Sequence, residues 1–144
     1  MTTKEFLSLM QSRGAKFTAP ATLPDITRTN TVLSVRNRAP IPDFFSDILL
    51  TTNGLNLGNG YIFGTSDFPQ GTRTPAPSLV TVNEDTAIFY QLSGKTIFAR
   101  NDLFWFAFDT SGTCYMLDCA TLKTLRRYDD PLKSLTDCLI AGKL

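Results

Sequence analysis

The chain has 144 residues, 42% apolar and 19% charged, with 14 Lys plus Arg against 13 Asp plus Glu and no histidine. One domain able to bury its own core is the expectation at this length, and the composition is too apolar for a disordered chain. A net charge of +1 creates no field for nucleic acid or an anionic membrane, and without imidazole the chain forms neither a Ser–His or Cys–His nucleophile pair nor a zinc site built on histidine.

Thr3 is a cap for a first short helix in which Phe6, Leu7 and Met10 share a face. Gly14 is its stop signal, with Arg13 in the last turn. Between 15 and 40, Pro20 and Pro24 read as breakers, and the β-branched run 31–35 predicts a short strand. Ala39 to Pro42 lead extended into a second helix with Pro42 in its first turn. Phe44, Phe45, Ile48 and Leu49 form its apolar stripe, Asp43 and Asp47 suit its N-terminal half, and Asn53-Gly54 reads as its C-cap.

Residues 55–60 then read as turn chemistry and 61–63 as a short strand. An irregular stretch over 65–77 follows, long enough to be mobile or functional. Ser78 is placed to cap a short helix through Asn83. In the C-terminal half, runs at 96–100, 104–108 and 114–118 are separated by short turns, which favours antiparallel hairpins. Asp129 or Asp130 caps a last helix, with Pro131 in its first turn and Leu132, Leu135, Cys138 and Leu139 along one face. Strands in a run with helices set around them predict an α+β fold, one domain over 1–144, with a mainly antiparallel central sheet flanked by helices.

Few residues offer chemistry. The three cysteines, Cys114, Cys119 and Cys138, are odd in number and lack CxxC spacing, which favours reduced, partly buried thiols. The carboxylate pairs Glu84-Asp85 and Asp129-Asp130 are candidates for acid–base or metal chemistry, but turn and N-cap positions explain both, so no cofactor and no metal are expected. Residues 56–60 lack the Gly-Lys-Ser/Thr ending of a phosphate loop, and Arg126-Arg127 reads as a solvated or salt-bridged pair before the last helix. No apolar run approaches a membrane span and residues 1–6 carry no signal pattern, so a soluble cytoplasmic protein is expected. In the aromatic strand, Phe104, Phe106 and Phe108 share a core face, while Trp105, Ala107 and Asp109 share the other. That second face is either packed or a concave binding surface anchored by Trp105.

The order of these pieces resembles the SUKH superfamily of bacterial immunity proteins and fungal cell-wall-assembly regulators. The resemblance rests on Ile41-Pro42-Asp43-Phe44-Phe45, then Leu49 to Asn53-Gly54, then Tyr61 to Gly64. It continues through the hairpin from Ile97 to Asp109 and closes with Tyr128-Asp129-Asp130 opening the Leu-rich helix, covering 41–142. Either Phe104 or Trp105 matches an aromatic that the family carries early in the hairpin. The resemblance implies a non-enzymatic cytoplasmic immunity protein that binds a bacterial protein toxin and neutralises it by steric occlusion. A regulatory adaptor of the same fold that binds a host protein or peptide is the alternative, and a small hydrolase or transferase using carboxylates such as Glu84 and Asp85 ranks last. No catalytic residue carries over. The expected contact surface is the long loop, with Asp67, Phe68 and Arg73, plus Trp105 if exposed. The near-neutral charge departs from acidic members of the family and counts against a strongly basic nuclease as the target.

Overall fold

The computed structural model describes residues 1–67 and 76–140, and its N-terminal third is helical. The cap of α1 (Thr3–Ser12) is Thr2, one residue earlier than the sequence suggested. Its hydroxyl accepts from the Glu5 amide at 3.1 Å while the Glu5 carboxylate accepts from the Thr2 amide at 3.0 Å. After β1 (Lys16–Phe17), Thr22 and Asp25 repeat this reciprocal cap at the start of α2 (Leu23–Val35).

Helix α2 overturns the strand expected at 31–35. Pro24 lies in the first turn, where its missing N–H costs nothing, so it starts the helix it was read as breaking. Ile26, Thr29 and Leu33 are buried at helical spacing. The Thr29 hydroxyl donates to the Asp25 carbonyl at 2.9 Å and Thr31 to Thr27 at 3.1 Å, so threonines that favour strands elsewhere are satisfied within the helix.

Pro42 is the N-cap of α3 (Asp43–Leu49), and Leu50, not Asn53-Gly54, is its C-cap. Asn53-Gly54 serves a tertiary junction instead. The Asn53 carboxamide oxygen receives the Thr65 amide at 2.7 Å and its amide group donates to Ser66 at 3.1 Å. Gly54 has φ +93°, and a Cβ there would stand 2.8 Å from the Ile62 carbonyl oxygen.

Among the described residues the sheet has seven strands in chain order, every neighbouring pair antiparallel. They are β1, β2 (Leu55–Leu57), β3 (Gly60–Ile62), β4 (Lys95–Arg100), β5 (Phe104–Asp109), β6 (Cys114–Asp118) and β7 (Thr124–Tyr128). The α+β, mainly antiparallel architecture is therefore as expected, with three strands added, β1, β2 and β7. β2 forms from residues read as turn, and β7 from the segment read as a lead into the last helix. Arg126 and Arg127 lie on β7, where their charge also discourages pairing of this edge with another chain.

The register assigns one face to the core. Ile62, Ala99, Phe106 and Met116 form one row, and Thr96, Phe108, Cys114 and Tyr128 another. α3 and α5 (Pro131–Ile140) cover this face, with α1 packed against both. Phe45 of α3 meets Phe98 and Phe108 at ring separations of 5.2 and 5.9 Å. Asp130 receives the Leu132 amide at 3.0 Å at the start of α5, and Asp137 binds Arg126 at 2.9 Å and the Tyr128 hydroxyl at 2.7 Å.

α4 (Leu79–Asp85), capped by Ser78 as expected, completes β4 where β3 is too short to reach. Asn83 acts there as a substitute strand. The Ile97 amide donates to its carboxamide oxygen at 2.9 Å, and its amide group donates to the carbonyls of Ile97 at 3.0 Å and Leu79 at 2.8 Å. Arg38, only 6% exposed, binds the same region together. Its guanidinium donates to the carbonyls of Thr86 (2.9 Å), Leu92 and Lys95 (3.2 Å each) and Asn83 (3.4 Å). Two of these acceptors belong to the C-terminal end of α4, which attracts positive charge.

Candidate protein-binding surface

The second sheet face differs because its residues alternate with the core rows. Tyr61, Arg100, Trp105 and Leu117 form one row across β3 to β6; Tyr115 pairs with Arg127, and Lys95 with Asp109. α5 is the helix that covers β5, β6 and β7, and it does so on the core side. Trp105 is half-buried, with the Arg100 guanidinium 5.0 Å above its ring. The Lys95 ammonium stands 4.9 Å from the Tyr115 ring, and the Tyr115 hydroxyl donates to Asp109 at 2.8 Å. That hydrogen bond, more than burial, raises the phenol above its ordinary value. The other Asp109 oxygen receives the amides of Ser111 at 2.9 Å and Thr113 at 3.0 Å, so this carboxylate is committed to the β5–β6 turn.

Asp67 closes the long loop. Its carboxylate receives the Ser78 amide at 3.0 Å, while the Leu79 amide donates to the Gly64 carbonyl at 2.9 Å. Phe68 and Arg73 lie outside the described residues. A cleft of about 260 Å³ lined by Tyr61, Phe63, Ala76, Pro77, Arg100 and Asp102 joins the end of the loop to the row containing Trp105. Ala76 and Pro77, at the described end of the loop, therefore meet Tyr61 and Arg100 of the row containing Trp105 at this cleft.

A second feature escaped the sequence reading. The turn after α4 leads through Ile88 and Phe89 into a 3-10 turn at Tyr90–Leu92, and Ile88 is 83% and Tyr90 84% exposed. A hollow beside them is lined by Arg36, Asn37, Ala87, Phe89, Tyr90 and Ser93, at the end of α2 where Val35 is 79% exposed. An apolar run placed after a helix and before a strand, belonging to neither pattern, was the available signal.

The residues weighed for chemistry have structural positions. Glu84 lies 3.8 Å from Arg36 at the surface, and Asp130 caps α5. The cysteines are free; Cys114 and Cys138 are buried and Cys119 is exposed. Burial pushes the Cys114 thiol up to about 12 and raises Cys138 as well. Among the described residues no helix is long and apolar enough to cross a membrane. No family model matches the chain, and no curated protein matches it.

Proposed function

We propose that this chain is a protein-binding module of the SUKH type, an immunity protein that covers a bacterial toxin's working surface in the cytoplasm. The observation that carries the reading is the Ile88–Tyr90 projection. Two large side chains more than four-fifths exposed, beside the exposed Val35, are what a protein interface buries at its centre. Occlusion requires shape and no titrating catalytic group, which suits a chain without histidine. The succession of proline-led helix, Asn-Gly junction, antiparallel hairpins and closing helix supports the family part of the proposal. Co-expression with a bacterial toxin encoded by a neighbouring gene tests it. Cells carrying the chain should survive induction of the toxin; equal killing with and without the chain would overturn the proposal.

A further inference from the structure

The second sheet face carries more positive charge than the whole chain suggests. Lys95, Arg100 and Arg127 all lie on it, and among the described residues none of the three forms an ion pair. The one carboxylate in the same rows, Asp109, is already engaged by two backbone amides and the Tyr115 hydroxyl. The remaining arginine of β7, Arg126, points to the core side and is neutralised by Asp137. Three cations thus share this face with Asp109, whose oxygens are taken up by neutral donors, and with Asp102 beside Arg100 at its edge. Among the described residues they form no ion pair with either.

We infer that this face docks an acidic segment of the protein partner, its carboxylates reaching Lys95, Arg100 and Arg127 while its stem lies over Trp105 and Tyr115. The inference deepens the proposed function by stating the chemistry of the partner. Charge complementarity selects the occupant. Stacking on the rings holds the Lys95 and Arg100 heads in place, so less freedom is lost when a carboxylate arrives. Single-stranded nucleic acid is also anionic, but its bases require open aromatic faces. Here both rings are half-buried against the core and already carry a cation. A protein carboxylate needs only the cations.

Trp105 is the chain's single tryptophan and reports on the face directly. The full chain is titrated with an octaglutamate peptide, with octaserine and with an eight-nucleotide oligothymidine, following Trp105 emission at about 20 mM and about 150 mM salt. The expected result is saturable binding of octaglutamate alone, weaker at the higher salt. K95E/R100E/R127E should weaken it at least about tenfold, three exposed pairs being lost. Lys4, Arg13 and Arg28 changed to Glu make the same change in net charge on the α1 and α2 side and should leave binding within about twofold. K95M/R100M/R127M, which keeps apolar stems over the rings, serves should the reversed variant lose its circular dichroism signature. Equal weakening by both charge sets, or tighter binding of oligothymidine than of octaglutamate, would overturn the inference. The protection assay separates the two proposals. Full protection by K95E/R100E/R127E removes this face from toxin binding and leaves immunity standing. Octaglutamate binding as expected without any protection removes immunity and leaves an acidic-segment site.

Discussion

Replacing Arg38 with Met tests the account of how α4 is held to the sheet. Met keeps most of the aliphatic volume and removes the guanidinium, so carbonyls lose a donor while packing changes little. The Thr86 carbonyl also receives the Phe89 amide at 3.1 Å and loses least, and the Asn83 contact at 3.4 Å is weak. Leu92 and Lys95, each at 3.2 Å, carry most of the loss. Stranding two or three buried acceptors costs about 1–3 kcal/mol each, partly offset because no charge then needs desolvation. The expected net loss is about 3–5 kcal/mol, a large share of the roughly 5–15 kcal/mol that holds a domain together. With a urea slope of about 2 kcal/mol/M, the unfolding midpoint should fall by about 2 M. Arg38→Lys should recover only part, because a point charge reaches fewer carbonyls than a planar fork. A Met variant within about 1 kcal/mol of the parent would refute the idea that these carbonyls depend on Arg38.

Asn83→Leu removes the carboxamide that pairs with both backbone groups of Ile97 and should cost about 2–4 kcal/mol in chemical denaturation, with hydrogen exchange at the Ile97 amide accelerated. Ile88→Asp with Tyr90→Ala should leave stability within about 0.5 kcal/mol, because both side chains are exposed, yet abolish protection in the toxin co-expression assay. Stability should fall as pH rises from about 9 toward about 12. Cys114, Cys138 and Tyr128 hold their protons longer when folded than at their ordinary values, burial being the main cause, so the unfolded chain deprotonates first and gains. A urea midpoint unchanged between about pH 8 and about pH 10.5 would contradict that sign.

How much was legible depended on how far apart in the chain the causes lay. The aromatic strand, the hairpin turns, the Ser78 cap and the last helix are governed by neighbours within a few residues, and all were read. α2 was misread because the β-branched run at 31–35 was judged without its cap at Thr22 and Asp25. With the cap recognised, the spacing of Ile26, Thr29 and Leu33 would have favoured a helix. β2 is short and ends in turn residues, so its pairing with Tyr61 and Ile62 was hidden. β7 exposes four of its five residues and shows no apolar alternation. The proposed surface was partly visible in the position of Trp105. Its cations were not, because Lys95, Arg100 and Arg127 come together only across strands β4 to β7.

From composition alone came a chain with no imidazole, near-neutral charge and enough bulky apolar residues for a core, and from periodicity an α+β meander closed by a helix. These follow from residue chemistry and local spacing. Which sheet face the helices cover, which cations come together on the other face, and how Arg38 and Asn83 join α4 to β4 were decided by the tertiary structure. Register shifted by one residue exchanges the two faces of every strand, and a buried arginine is tolerable only where carbonyls converge on it.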